Sequence, residues 1–425
     1  MVITKHGLVL GTTAVALSTV AVTGAGIHLS QSQAFIDNKP KELVDEVWQI
    51  INHQYVDTTF NNHNWQEVRN EYLERSYSTK QEAYDSIREM LEQLGDPYTR
   101  FMDPEEFKNM QIDTSGELTG VGIQIAKDEE TDRLIVISPI EDTPAFAAGI
   151  LAKDIITKID GTDTKGMDVN QAVKLIRGKP GTKVILTIQR ETGARDYEIT
   201  RAKIKIHPVR ASVETSSIGK IGYIRLTQFS AQASKEMREA IRDLEKKQVS
   251  GYILDLRSNP GGLLYSSIDI ARMWLKEGAI VSTVDRGGER ERKWANNSAL
   301  TDKPLAILVD GGSASASEIL SGALQDNGRA TLIGTQTFGK GLVQSVRPLG
   351  DGSGLAVTIA KYLTPNGRDI HKEGIPPDIV VELKESQRKK LQSDRTLIGT
   401  LEDPQFSKAL TVLEQQIKAQ AAASK

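Results

Sequence analysis

Two short segments of this chain carry residue types suited to nucleophilic chemistry. The first is Asp310-Gly311-Gly312-Ser313-Ala314-Ser315-Ala316-Ser317-Glu318, set between an apolar run and a helical pattern. A serine at a strand-to-helix turn projects its hydroxyl into the open. The helix start adds unpaired N–H groups and the positive end of a dipole, which suit a developing oxyanion. Ser315 and Glu318 also have capping-box spacing, so starting the helix is a competing role for both. The residues alone do not separate Ser315 from Ser313 or Ser317. The second segment, Gly334-Thr335-Gln336-Thr337-Phe338-Gly339-Lys340-Gly341-Leu342-Val343-Gln344, sets one lysine between two glycines in an otherwise apolar stretch. Burial would favour the neutral amine, and a lysine must fall from ~10.4 to about 7–8 to act as a base near neutral pH. A turn lysine that snorkels to solvent is the alternative.

Other chemistries have less to work with. The chain has no cysteine, which excludes disulfides, thiolate catalysis and cysteine-ligated metal. Of six histidines, only His371 falls in the same region as Ser315, and a Ser315–His371 pair has no evident acidic partner. No two histidines stand at metal-ligand spacing, and neither metal nor cofactor is expected. A formal net charge of −3, without a basic cluster interleaved with aromatics, gives no sign of a nucleic-acid partner.

The elements that must position these segments follow from periodicity. Residues 41–93 read as helical, with Leu43, Val44, Val47, Ile50 and Ile51, then Ala83, Ile87, Met90, Leu91 and Leu94, at three- and four-residue spacing. Gly95-Asp96-Pro97 stops the second run, and Trp48 and Trp65 read as core. From 116 to 205 short β-branched runs alternate with turns: 121–126, 134–138, 155–159, 184–189 and 197–200, with a helix at 169–176. From 207 to about 383 strands alternate with helices (221–226, 234–246, 252–256, 305–309, 316–325), which indicates an α/β core. Beyond Glu385 the chain is polar and Lys/Gln-rich, an accessory helix or partly disordered tail. At the other end, residues 7–27 are uncharged and follow Lys5, long enough to span a bilayer or to serve as a signal peptide.

Several motifs carry a family resemblance. Leu118-Thr119-Gly120-Val121-Gly122-Ile123, Pro144-Ala145-Phe146-Ala147-Ala148-Gly149-Ile150 and Asp154-Ile155-Ile156-Thr157-Lys158-Ile159-Asp160-Gly161 resemble a bacterial PDZ domain. The Ser-Ala-Ser-Ala-Ser-Glu and Gly-Lys-Gly-x-x-Gln pair resembles the carboxy-terminal processing, or tail-specific, peptidases. So do Leu94-Gly95-Asp96-Pro97-Tyr98-Thr99, Asp255-Leu256-Arg257-Ser258-Asn259-Pro260-Gly261-Gly262, Tyr362-Leu363-Thr364-Pro365-Asn366-Gly367-Arg368 and Gly374-Ile375-Pro376-Pro377-Asp378. The resemblance implies a multidomain α/β (α+β) protein: a signal peptide or anchor at 1–30, a helical domain at 31–112, an inserted PDZ β-sandwich or barrel at 113–205, a crotonase-like α/β catalytic core at 206–385 and a helical tail at 386–425.

The same resemblance implies the roles. Ser315 is the nucleophile, Lys340 the base and Gln344 the group that orients it. The N–H groups of Ala316 and Gly261, or Gly262, form the oxyanion hole. A straight strand would hold Lys340 and Gln344 ~13 Å apart at the backbone, so a bend at Gly339 or Gly341 is required. An edge strand beginning at Gly120–Ile123, with Leu118, Val121 and Gly122, would accept an apolar carboxy terminus by strand addition. The expected partners are such protein tails and, through the amino-terminal segment, a membrane; the resemblance also allows a homodimer through the helical ends. The expected location is the cell membrane, single-pass with an extracytoplasmic catalytic domain, or outside the cell. Two rivals come from other classes. A PDZ scaffold with an idle peptidase-like domain is disfavoured by the intact Ser315, Lys340 and Gln344, and a crotonase-like acyl-CoA enzyme by the PDZ domain and export segment.

Overall fold

The computed structural model describes residues 40–423 apart from 129, 130, 141, 218 and 289. The expected anchor or signal segment therefore lies outside the described residues. No described helix is long and apolar enough to cross a membrane. The chain forms two compact units, Ser115–His207 and the remainder.

In the larger unit, a six-stranded sheet runs in the order Val209–Ser216, Gly219–Leu226, Gly251–Asp255, Leu305–Val309, Thr331–Gly334, Ile379–Val380. All neighbours are parallel except the first pair. Central parallel strands are covered on both faces, so they read as continuous apolar runs, as in Leu305-Ala306-Ile307-Leu308-Val309. Leu305, Ile307 and Val309 face a core shared with helices Ala233–Lys246, Leu264–Trp274 and Ala316–Asp326. Ala306 and Leu308 face the other way, onto Phe406, Ala409, Leu410 and Leu413 of helix Pro404–Ala423.

That helix lies in the tail beyond Glu385, which reads from the sequence as an accessory helix or as partly disordered. It seals the second face of the six-stranded sheet, and its apolar residues recur at three- and four-residue spacing. The amino-terminal helices are likewise not a free-standing domain. Pro40–Gln54, Trp65–Glu74 and Lys80–Glu92 close one core with Leu355 and Val357 of strand Gly354–Leu363. That strand lies in a second sheet with Arg100–Met102, Leu342–Pro348, Ala279–Asp285 and Arg290–Trp294. Trp48 and Trp65 are core residues, as read from the sequence.

The smaller unit is a six-stranded antiparallel sheet with helix Val169–Ile176 and a separate ribbon, Glu117–Gly120 against Ala202–Lys205. The edge strand starts later than the sequence suggested. Leu118 and Gly120 are tied into the ribbon, the chain turns at Val121-Gly122, and the open edge is Ile123–Asp128. Gly122 has φ +85, and a β-carbon there would lie 2.4 Å from the Thr143 side chain, so the turn requires glycine. Val121 points into the core, so it can offer a ligand only its backbone.

Candidate active site

The strand Leu305–Val309 delivers the chain into residues 310–315, where Asp310 Oδ1 accepts the N–H of Ser258 at 2.7 Å and of Gly312 at 2.9 Å. The three serines then differ. Ser313 Oγ donates to Leu256 O and Ser317 Oγ to Asn259 O, each at 2.8 Å. Ser315 Oγ is buried and makes no hydrogen bond. Its backbone sits at φ 55, ψ −111, a conformation that costs a non-glycine residue about 1–3 kcal/mol and is found at functional turns. Only half of the capping box forms: the Ser315 hydroxyl caps nothing, whereas Glu318 Oε2 accepts the Ser315 N–H at 2.8 Å.

Glu318 does more than cap. Its Oε1 accepts Thr337 Oγ1 at 2.6 Å and the Gly339 N–H at 2.7 Å, and its Oε2 also accepts the Lys340 N–H at 2.9 Å. One buried carboxylate thus staples the serine turn to the lysine loop. Burial pushes its pKa up from the usual carboxylate value, against the pull of these four donors. Capping-box spacing signals the residue but not the second loop it holds.

Lys340 is 3 % exposed. Burial, reinforced by the Arg100 guanidinium and opposed by Asp96 and Glu318, brings its amine down to about 7. The amine lies 4.6 Å from the centre of the Tyr98 ring. The flanking glycines are steric requirements: β-carbons at Gly339 and Gly341 would come within 3.0 Å of the backbone of residues 371–374. Gln344 follows a bulge in the pairing of Leu342–Pro348 with Gly354–Leu363, which sets it opposite Thr358. The carboxamide is buried; Nε2 donates to Thr358 Oγ1 at 3.3 Å, and Oε1 has no partner. His371 is not engaged with the serine: its ring meets the edge of Tyr98, its backbone N–H donates to Asp369 Oδ1, and it makes no bond to Ser315.

The glycine turn comes to the serine turn through Asn259. Asn259 O accepts the Ala314 N–H at 3.0 Å, and its Nδ2 donates to Leu226 O at 2.8 Å. A β-carbon on Gly261 would lie 2.6 Å from Ala314 O and 2.9 Å from Ala316 N, so only glycine permits this approach. The Gly261 N–H, however, donates to Asn259 Oδ1 at 2.9 Å. Among the described residues the N–H groups of Ala316 and Gly262 are not so engaged. Beneath the turn, Arg257 bridges Asp255 and Asp403 with bonds of 2.7–3.0 Å, all three side chains buried. The carboxy-terminal segment thereby anchors the strand end that carries the glycines.

A serine hydroxyl without a partner, a buried amine and backbone N–H donors at a helix start are the parts that acyl transfer requires. The model of peptidase family S41 matches residues 220–381 and that of the PDZ domain residues 135–190. The chain is 48% identical over 372 residues to a carboxyl-terminal-processing protease of Synechocystis sp., covering 86% of this chain and 87% of that one. It is 45% identical over 389 residues to a carboxyl-terminal-processing protease of Picosynechococcus sp., covering 91% and 92%. Among solved structures, the photosystem II D1 C-terminal processing protease matches with a TM-score of 0.57 and 34% identity, over 87% of this chain and 100% of that one.

Proposed function

We propose a Ser–Lys mechanism for this chain, which belongs to peptidase family S41 and, within it, to the carboxyl-terminal-processing proteases. The observation that carries the proposal is the amine of Lys340, buried and brought to about 7 on a loop that Glu318 ties to the turn of a serine whose hydroxyl is uncommitted. Neutral Lys340 takes the Ser315 proton as Ser315 Oγ attacks the scissile carbonyl carbon. The lysine then returns that proton to the leaving amine, and water, activated the same way, releases the acyl group and regenerates Ser315. The Ala316 N–H supplies one oxyanion donor. The second comes from the glycine pair, where Gly262 rather than Gly261 has the uncommitted N–H. Because Ser315 is buried, a peptide reaches it only when the surrounding loops part.

In this reading the PDZ domain selects substrates by their carboxy termini. The open edge of Ile123–Asp128 takes an extended tail as an added strand, and the backbone of the Val121-Gly122 turn receives its carboxylate. The enzyme works outside the cytoplasm, carried there by residues 7–27. A test compares cleavage of an unfolded protein ending in apolar residues with the same protein ending in acidic ones. The parent is expected to prefer the apolar terminus by about tenfold or more. Ser315→Ala should cut neither. Deleting residues 116–205 should bring the preference close to unity, and a preference that survives the deletion removes the PDZ domain from substrate choice.

A further inference from the structure

The two ends of the buried Gln344 carboxamide are treated differently, and the cause lies 248 positions earlier in the chain, at Asp96. Asp96 Oδ2 accepts the hydroxyls of Thr99 at 2.7 Å and Thr358 at 2.6 Å, while Oδ1 accepts the Tyr98 N–H at 2.9 Å. Thr99 Oγ1 in turn accepts the Thr358 N–H at 3.0 Å. A carboxylate only accepts, so it holds the Thr358 proton and leaves Thr358 Oγ1 nothing but lone pairs to offer. The neighbour at 3.3 Å must then be the NH2 end of Gln344, and the carbonyl end, Oε1, is left as a buried acceptor without a partner.

We propose that Asp96 and Thr358 form a relay of fixed hydrogen-bond polarity that presents Oε1 of Gln344 to the Lys340 amine, making both positioning residues for the base. The proposal rests on the reading of Lys340 as the base and Gln344 as its orienting group. The polarity matters because a neutral amine has two N–H donors and one lone pair. With Oε1 facing it, the amine would donate an N–H to the carboxamide, a bond not made in this structure, and keep its lone pair for the Ser315 proton. A flipped carboxamide would donate into that lone pair and block the transfer. The Asp96–Thr99 turn reaches the lysine by a second route, through the Tyr98 ring 4.6 Å from its nitrogen. Asp96 also acts on the Lys340 amine through its charge.

The test is a double-mutant cycle on the full chain, reading kcat and KM for an unfolded protein with an apolar carboxy terminus. Thr358→Val is expected to lower kcat by about tenfold or more, with KM changed less than about twofold. Thr358→Ser, which restores the hydroxyl, should recover most of that loss. In a Gln344→Ala background Thr358→Val should cost nothing further, because Thr358 reaches the base only through the carboxamide. If Thr358→Val does not fold, Asp96→Asn takes its place, since an amide at 96 can donate to Thr358 and undo the polarity. An unchanged kcat in the threonine or asparagine variant overturns the relay, as does a loss of equal size with and without Gln344. Either result leaves the Ser–Lys reading standing if Lys340→Ala is inactive. Full activity in Gln344→Ala alone removes the relay together with the assigned role of Gln344.

Discussion

Lys340→Ala is expected to lower kcat/KM on an unfolded protein substrate by about 10³-fold or more, with the fold retained. Without the amine, no buried group beside Ser315 can take its proton, because Glu318 is occupied by four donors and His371 makes no bond to the serine. A structural lysine would lose stability when removed; this one should gain it. The folded amine sits near 7 against an unfolded value of 10.5, so between these pH values the unfolded chain binds more protons than the folded one. The cost to the fold is therefore greatest below pH 7 and vanishes above about pH 10.5. Lys340→Met should stabilise the protein by on the order of 3–5 kcal/mol at pH 6 and by progressively less as the pH rises. Urea unfolding at pH 6 and pH 9 measures the difference. Equal stability of parent and variant at both pH values would mean that the lysine is an ordinary solvated cation.

Glu318→Gln, nearly isosteric, is expected to reduce kcat/KM by about 10²-fold or more and to destabilise the fold by roughly 2–4 kcal/mol. The carboxylate receives two donors on each oxygen, and three of the four are backbone N–H groups that cannot reverse. A glutamine must turn its NH2 toward one of these pairs. In one orientation it faces the N–H groups of both Ser315 and Lys340; in the other it faces Gly339, while Thr337 Oγ1 is already accepting the Ile375 N–H at 2.7 Å. Either way a buried backbone donor is orphaned at about 1–3 kcal/mol apiece. The serine turn, held at positive φ, then loses the contact that over-determines it. Denaturant unfolding and steady-state kinetics check both halves, and a variant with parental activity would show that the staple does not matter for catalysis.

The alternation of strands and helices in the larger unit was legible in the sequence, as apolar runs separated by amphipathic helices with a glycine-rich turn after each of the two strands that feed the site; the order of the six strands was not. A tail helix was expected as well; what its polar composition did not show is that Phe406, Ala409, Leu410, Leu413 and Ile417 pack on the sheet. The pairings inside the site were not legible. Asp96 meets Thr358 across 262 positions, and Arg257 meets Asp403 across 146. Propensity and periodicity act over a turn or two and carry no information at such separations. The Gly261 N–H illustrates the same limit. A glycine in the right loop is readable from sequence, whereas the Asn259 side chain that engages its donor is a matter of local geometry. The three serines differ for a related reason: Ser313 and Ser317 find backbone carbonyls from residues 256 and 259, which only the folded sheet brings near.

The central claim is that the amine of Lys340 is half-deprotonated near neutral pH and serves as the base. Titration of the full chain labelled with 13Cε-lysine tests it directly. One resonance, absent from Lys340→Ala, should titrate with a midpoint near 7, and kcat/KM should rise through the same midpoint to a plateau on its alkaline side. A Lys340 resonance that stays protonated to pH 9 while kcat/KM still rises near pH 7 would contradict the account and hand the proton transfer to another group.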